Sequence, residues 1–472
     1  MRHRIGTALA ALAMVALTAA PAAADAPYPA GVSAEDLRAA GVSEGVVAAG
    51  GSHACMITSL GDVHCWGDDS SGQLGDGTRP HENGQAVFAF RAAVQIDAGQ
   101  AHTCAVGADG NAYCWGDDSA GQLGDGAGRD RDEPAEVGGL DGHLLVQVAT
   151  GARHTCAVDD EGTAWCWGDG SATPVRVAGI DAPIVDIAAG GDTTCAATAG
   201  GEAYCWASGE RPARVPRVRG ARQVTVGGRH ECFLDTDGLA SCQGGRLDTG
   251  GAALDRVSAG RDRVCGIDRE GRTSCWAADG RRSEVGGRMR DLDVGAGQAC
   301  GVDLEGYVSC WGADGVPARV GGLPRPPGAA TGVQVRALDG GLRISWRPPA
   351  DLGSGPFEFF WAATADYASG CVLTQATASG CEVLGLHNGR SYDVAVVVRT
   401  RDGLTISDYV TAAPSDVAPE PSGSAYPSAP PRELQPGEGG GLPVTGLSPV
   451  ALLSIGTMLL GGGLVALLVR KP

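Results

Sequence analysis

Residues 102–126 read HTCAVGADGNAYCWGDDSAGQLGDG, in which Cys104 and Cys114 stand ten positions apart around a single Asp-Gly pair and Trp115 follows the second cysteine. The same spacing returns at Cys55/Cys65, Cys156/Cys166, Cys195/Cys205, Cys232/Cys242, Cys265/Cys275 and Cys300/Cys310, making seven repeats. Each repeat also carries a glycine six places after its first cysteine, at Gly61, Gly110, Gly162, Gly201, Gly238, Gly271 and Gly306. A three-residue hairpin loop ending in a glycine at positive φ accounts for that regularity. In the first repeat the loop is Ser59-Leu60-Gly61, Thr58 then faces Asp62, and counting outward sets Cys55 directly across from Cys65, within disulfide reach.

The ends of the chain place this design outside the cell. Arg2 and Arg4 precede an apolar run from Ile5 to Leu17 and the small-residue sequence Ala22-Ala23-Ala24, the pattern of a secretory signal peptide over residues 1–24. At the other end Leu447 to Val469 form an uncharged stretch of 23 residues, about 35 Å as a helix and long enough to span hydrocarbon, followed by Arg470 and Lys471. Without the four basic residues of the two ends, 32 basic side chains face 55 acidic ones, a net charge of −23. Such a surface repels phosphate backbones, so no nucleic-acid partner is expected.

An even count of sixteen cysteines in an exported chain points to disulfides. Zinc sites would draw close Cys-x-x-Cys pairs with histidines, and that spacing does not occur, so neither a metal nor another cofactor is expected. Trp66, Trp115, Trp167, Trp206, Trp276 and Trp311 each follow a second cysteine, and strand alternation aims the indole away from the sulfurs. The fifth repeat has Gln243 there instead. With both faces in need of cover, and with further strand signals such as VRVAGI, VDIAAG and VTVGG between the hairpins, small four-stranded sheets stacked around an axis are predicted, a seven-bladed β-propeller over residues 47–323. The last strand signal, Val316 to Leu323, has no eighth hairpin to join and is expected to close the ring by pairing with the N-terminal segment 25–46.

With those residues read, the stretch GQAHTCAVGADGNAYCWGDDSAGQLGDG resembles the repeat of the regulator of chromosome condensation family, carrying its G-x-x-H-x-C-A, D-G, C-W-G and G-Q-L-G-D-G elements. The likeness spans about residues 47–323 and is densest in the first two or three repeats. It implies a seven-bladed propeller. The nuclear founder of that family acts on a small GTPase, a role that fold alone does not transfer to an acidic, exported chain.

Within the repeats, Asp68, Asp69 and Asp76, with Asp117, Asp118 and Asp125, could be read as calcium loops, but their spacing lacks the alternating-ligand pattern and turn-forming side chains explain them better. His53, His102, His154 and His230 precede a first cysteine by two, while Thr193, Arg263 and Gln298 hold that place elsewhere; a hydrogen-bonded structural role fits a ring of equivalent positions better than one metal ion does. The match GVSEG at 41–45 lacks the strand-turn-helix setting of a nucleophile, and SAEDLRAAG reads as a short helix capped by Ser33 with Asp36 in the box position. No catalytic residue is assigned, and the chain is not expected to be an enzyme.

From Arg325 the texture changes to short alternating strands without further repeats. Residues 325–413 resemble a fibronectin type III domain, with Trp346 as its core tryptophan and Leu386 with Tyr392 as its tyrosine corner. Cys371 and Cys381 are again ten apart, but Thr377 replaces the glycine at the sixth place. Residues 414–441, rich in Pro, Ser, Gly and Glu, form an extended disordered stalk reaching about 90 Å at most.

Leu442-Pro443-Val444-Thr445-Gly446, then an apolar helix, then a basic tail resembles the sorting signal of sortase substrates over residues 442–472, with the membrane segment at 447–469. The resemblance implies attack of a sortase cysteine on the Thr445 carbonyl and transfer to peptidoglycan, so the precursor spans the membrane and the product is wall-anchored. Lys471 is the sole lysine, which disfavours a pilus shaft built through lysine amines. The expected function is a secreted, sortase-anchored bacterial surface protein whose propeller head binds a protein or glycan, as an adhesin or receptor. An extracellular polymer-degrading enzyme, and an inhibitor or scaffold of a secreted enzyme, are the alternatives.

Overall fold

A computed structural model describes residues 47–78, 86–228, 230–242, 245–312, 315–364 and 369–415. Among these the chain is all-β, and no helix occurs that could cross a membrane. The signal peptide, the capped helix and GVSEG match, Gln243, the sorting signal and the apolar segment 447–469 lie outside the described residues, as does all of the stalk beyond Ser415.

The first repeat folds Val47–Ala49, His53–Ile57, Val63–Gly67 and Val87–Phe90 into one antiparallel sheet in chain order. Four more four-stranded sheets begin at Ala93–Ala98, Leu145–Thr150, Ile184–Gly190 and Ala221–Gly227. The sixth and seventh repeats share a seven-stranded sheet, because Arg282–Val294 runs unbroken from the outer edge of one repeat into the inner strand of the next. Every hairpin glycine sits at φ between 75° and 85°, a backbone state that a side chain would strain. In the first loop Gly61 N–H donates to Thr58 and Thr58 N–H to Asp62, both at 2.9 Å.

That turn sets the register. Cys55 faces Cys65, Cys104 faces Cys114, Cys156 faces Cys166 and Cys195 faces Cys205 as direct cross-strand partners. Cys232 faces Cys242, Cys265 faces Cys275 and Cys300 faces Cys310 in the same way. A disulfide joins each of these seven pairs, with Cα–Cα distances of 4.0–4.1 Å.

The two sulfurs of a pair are not equally sheltered. The first cysteine of every repeat is fully buried, whereas Cys166, Cys205, Cys242 and Cys310 are half-buried and Cys275 keeps 6% exposure. Cys65 and Cys114 are the exceptions at 0%, and they share their clusters with Leu74 and Leu123 of the GQLGDG loops. Later repeats lack that loop, so nothing equivalent covers the second sulfur.

The tryptophans explain how the sheets stack. Cys55 and Cys65 share a buried cluster with Trp115 of the following repeat, Cys104 and Cys114 with Trp167, and Cys156 and Cys166 with Trp206. The order continues with Cys232 and Cys242 on Trp276 and with Cys265 and Cys275 on Trp311, and it comes full circle with Cys300 and Cys310 against Trp66. Each indole thus covers the disulfide face of its predecessor.

One junction departs from that order. The Cys195 face packs on Phe233, which is buried in strand His230–Asp235. The equivalent positions in the second to fourth repeats are the small Ala105, Ala157 and Ala196. A large ring at the residue after Cys232 therefore fills the space that the missing tryptophan leaves in the repeat carrying Gln243.

The segment 25–46, expected to pair with the last strand and close the ring, lies outside the described residues. Ala318–Arg319 pairs with Ser309 and Cys310 as the outer strand of the seventh repeat's own sheet. Among the described residues every repeat supplies its strands in chain order. Val47 and Ala49 meet Asp291 and Asp293 of the last inner strand through side chains.

Residues 331–412 form a separate sandwich. Thr331–Leu338, Gly341–Arg347 and Gly380–Leu384 make one sheet, and Gly370–Leu373, Phe357–Thr364, Tyr392–Thr400, Gly403–Ile406 and Val410–Ala412 make the other. Trp346, Phe360, Val394, Val396 and Val398 fill the space between them. Leu386 and Tyr392 are buried, and the Tyr392 hydroxyl accepts the His387 N–H at 3.1 Å.

Candidate functional site at the axis

The inner strands of all seven repeats line one axial cavity of about 250 Å³. Neighbouring inner strands do not share a backbone ladder, so the second to seventh repeats each reach the next with a side chain, while the first meets the second through Gly51 N–H on the Gly99 carbonyl. Gln95 does so by mimicking a peptide group: its Oε1 accepts Val148 N–H at 2.9 Å and its Nε2 donates to Val148 C=O at 3.1 Å. Gln147 treats Ile187 the same way, at 3.2 and 3.0 Å, and Gln223 treats Val257 so at 3.1 Å both ways. Asp186 accepts Val224 N–H at 2.6 Å and Gln147 Nε2 at 2.9 Å. Arg256 pairs with Asp291, and Asp291 accepts Val47 N–H at 2.9 Å, which closes this belt onto the first repeat.

A second belt lies two residues further along the same strands. Asp97 accepts the N–H and Oγ1–H of Thr150, Thr225 Oγ1 accepts Ala259 N–H, Ser258 Oγ accepts Val294 N–H, and Asp293 accepts Ala49 N–H at 2.8 Å. At the strand ends a backbone chain runs from Gly51 N–H to Gly99, from Gln100 to Gly151, from Ala152 to Gly191 and from Ala296 to Gly50.

This closeness is what the glycines allow. A Cβ on Gly50, Gly99, Gly151, Gly190, Gly227, Gly260 or Gly295 would lie within 2.8 Å of a backbone oxygen of the following repeat, the last of them meeting Gly50. Any other residue would wedge the ring open.

Burial sets the charge states around the axis. It raises the Asp97 carboxyl to about 7, with the nearby Asp293 adding to the rise and Thr150 opposing it. Burial also takes Asp186 to about 6, against the hydrogen bonds from Val224 and Gln147. Asp291 is raised by burial and pulled back by Arg256. These carboxylates serve as acceptors for neighbouring backbone.

The histidines of the first three repeats stand on the sheets at the junctions. His53 Nε2 meets Thr103 Oγ1 at 2.8 Å, His102 meets Thr155 at 3.0 Å, and His154 meets Thr194 at 2.8 Å. Thr103 and Thr155 pass the contact on to the carbonyls of Gln73 and Gln122, which also accept the indole N–H of Trp115 and Trp167. Burial lowers His53 to about 4 and His102 to about 3, so both imidazoles are neutral at physiological pH. Their Nδ1 atoms lie against the ring glycines, where a Cβ on Gly50 would be 2.8 Å from His53 Nδ1. His230, at the equivalent place in the fifth repeat, is half-buried.

The six aspartates of the early loops also work locally. Asp68 accepts Ser70 and Gln73, Asp69 accepts Leu74 N–H, and Asp76 accepts Thr78. Asp117 accepts Ser119 and Gln122, Asp118 accepts Leu123 and Arg129 N–H, and Asp125 accepts Ala127 N–H and pairs with Arg131. Among the described residues Cys195, Cys205 and Glu231 approach one another as metal ligands would, but the two sulfurs are joined to each other, and a disulfide holds no metal.

The axial belts are absent from the sequence reading. Their signal is a Gln, Asp or Arg four residues before six of the seven ring glycines, at Gln95/Gly99, Gln147/Gly151, Asp186/Gly190, Gln223/Gly227, Arg256/Gly260 and Asp291/Gly295; Gly50 has Val46 there.

Sheets stacked in this way about a polar axis define a propeller-like fold of repeats. The regulator of chromosome condensation (RCC1) repeat matches residues 61–106 and 109–158, and a second form of it matches 46–73, 93–122, 145–172 and 184–206. The chain therefore carries RCC1 repeats, and no catalytic family is indicated. Prp20p of Saccharomyces cerevisiae, whose binding to Gsp1p and histones was described with its crystal structure, superimposes with a TM-score of 0.51 at 17% identity, over 62% of this chain and 90% of that one. Yeast RCC1 (Prp20) in complex with Kap60 gives 0.51 at 16%, over 64% and 89%. Both likenesses concern the fold. The human E3 ubiquitin-protein ligase HERC2 is 28% identical over 141 residues, 29% of this chain; the chain spans only 3% of that relative's length.

Proposed function

We propose that this chain is a secreted, sortase-anchored surface protein whose seven repeats form a seven-bladed propeller that binds a protein or glycan outside the cell. The observation that carries the reading is the engagement of the axial polar side chains: Gln95, Asp97, Gln147, Asp186, Gln223, Arg256, Asp291 and Asp293 each serve ring closure. Polar groups spent on neighbouring backbone favour a rigid recognition head over a reaction centre.

In this reading residues 325–413 are a fibronectin type III-like module, supported by the buried Trp346 and the Tyr392 hydroxyl on His387. Residues 414–441 are the stalk, 447–469 the membrane segment of the precursor, and Leu442, Pro443, Val444, Thr445 and Gly446 the sortase recognition sequence, with peptidoglycan as the covalent acceptor. Partners of the relatives are not carried over, since a net charge of −19 and an exported design set this chain apart from a nuclear regulator.

Two experiments test it. The soluble ectodomain, residues 25–441, is screened against proteins and glycans from the surroundings of the producing cell; saturable binding is expected, and turnover of a polymer without binding would overturn the reading. Thr445→Ala should leave the protein extractable from membranes by detergent instead of covalently wall-bound, and unchanged wall linkage would remove sortase from the account.

A further inference from the structure

Among the described residues, the seam between the seventh and first repeats is the one junction of the ring that no chain segment crosses. Inside, it is held by Cys300 on Trp66 and by the bonds from Asp291, Asp293 and Gly50. Outside, both hairpin tips that flank it are occupied by the C-terminal sandwich and its leading segment.

On the seventh repeat, the Tyr307 ring carries Arg319 at 3.7 Å and Arg325 at 4.4 Å from its centroid. The hairpin glycine Gly306 abuts Pro326, whose Cδ would be 3.0 Å from a Cβ placed there. Arg325 is itself fastened to the sandwich: its guanidinium grips Asp351 with Nη2 at 2.8 Å, its N–H donates to Ser354 Oγ at 2.7 Å, and its carbonyl accepts Ser354 N–H at 3.2 Å. Thr405 Oγ1 donates to Pro327 C=O at 2.6 Å, so the connecting segment has no slack.

On the first repeat the contact comes from the turn after Tyr392–Thr400. Gly403 lies so close to the Ser59-Leu60-Gly61 loop that a Cβ on it would be 3.1 Å from Ser59 Oγ. Asp62 of the same hairpin is half-buried; burial raises its carboxyl, Arg91 and Arg399 pull it down, and Asp402 pushes it up. Asp402 also acts on His64 on the adjoining strand. Ser354 Oγ, which accepts from Arg325, donates to Asp402 at 2.9 Å, so linked contacts run from Tyr307 through Arg325 and Ser354 to Asp402, whose neighbour Gly403 meets the first hairpin.

We propose that the C-terminal sandwich is a clasp, docked across the seam so that it ties the last repeat to the first from outside. The role is additional to spacing the head from the wall, and it adds an outer tie to the inner bonds that hold the seam. An intramolecular tie of this kind acts at high effective concentration, because the sandwich is joined to the seventh repeat by a short segment.

The full secreted chain provides the test, with no ligand required. Arg325→Ala should raise amide exchange several-fold in Val47–Ala49 and Met289–Val294 while leaving Ile184–Gly190, on the far side of the ring, unchanged; Asp402→Asn serves as a second variant where the first folds poorly. Seam exchange that stays at its starting rate in both variants, or exchange that rises equally in every repeat, overturns the clasp.

Discussion

Two kinds of cysteine pair share one spacing in this chain. In the ring, Cys104 and Cys114 are direct cross-strand partners of a single hairpin, with Cα atoms 4.1 Å apart. In the sandwich, Cys371 and Cys381 are also ten apart, yet their Cα atoms are 6.5 Å apart and their strands belong to different sheets: Gly370–Leu373 pairs with Phe357–Thr364, and Gly380–Leu384 with Gly341–Arg347. The glycine at the sixth place is the difference. With it the chain turns back on itself and the pair staples a hairpin. With Thr377 there the segment crosses from sheet to sheet and the same spacing bridges two layers.

The consequence concerns what each bond stabilises. A ring disulfide restrains a loop whose ends are already neighbours through backbone pairing, whereas the sandwich disulfide joins layers otherwise held by packing alone. In the chain-entropy view both close loops of equal length, worth about 3 kcal/mol each. Their effects on local opening should therefore differ more than their effects on overall stability.

The comparison breaks most readily at ring closure. Gly295→Val would push a side chain into the Gly50 carbonyl across the seam, and the ectodomain should lose its cooperative thermal transition; Gly179→Val, whose Cβ would meet nothing within 4 Å, should affect only its own positive-φ turn. Next in size is the irregular fifth repeat. Phe233→Ala should cost about 3–5 kcal/mol in denaturant unfolding, the range for removing a buried aromatic ring. Adding Gln243→Trp to that variant should restore much of the loss, because an indole there would occupy the volume that Phe233 vacates.

Removing the Cys104/Cys114 pair as a double Ser variant should cost about 3 kcal/mol and loosen hydrogen exchange in its own hairpin alone. The Cys371/Cys381 double Ser variant should cost a similar amount yet loosen both sheets of the sandwich. Equal, confined exchange in the two variants would erase the contrast drawn above.

The smallest effect is on pH dependence. Asp97 holds its proton in the folded ring up to about pH 7, whereas in the unfolded chain it releases it near 3.8. The folded state thus binds more protons across that window, so stability is lost as pH rises from about 4 to 7 and is regained on acidification. Asp293 is the titratable group that faces it. Asp97→Asn should flatten the melting temperature over this range, beyond the general slope that a net charge of −19 imposes.

Much of the ring was legible because its determinants are local. A glycine at a fixed offset dictates the turn, the turn dictates the register, and the register dictates which cysteines meet; all of this lies within eleven residues of each repeat. The stacking of Trp115 on the preceding disulfide follows from strand alternation and the need to cover both faces. Uneven shelter within a pair was not legible, since the half-exposure of Cys166 and Cys242 depends on a covering loop that lies outside the hairpin motif. The axial belts were harder still to see, because Gln95 and Val148 are far apart in sequence and nothing in one repeat names its neighbour. The polar residue four places before the ring glycine varies among Gln, Asp and Arg, so it hides from a search for identity although its task is constant. Strand pairing at the seam was expected from the general liability of open edges, and its partner segment 25–46 lies outside the described residues; the glycine contacts and side-chain bonds to Val47 and Ala49 at the same seam were not foreseen.

Non-reducing peptide mapping of residues 25–441 tests the central claim, that each repeat is its own stapled hairpin stacked on the next. The account predicts seven separate crosslinks in the ring, Cys55 to Cys65 through Cys300 to Cys310, and an eighth, Cys371 to Cys381, in the sandwich, with no free thiol. Reduced cysteines, or links joining one repeat to another, would contradict it.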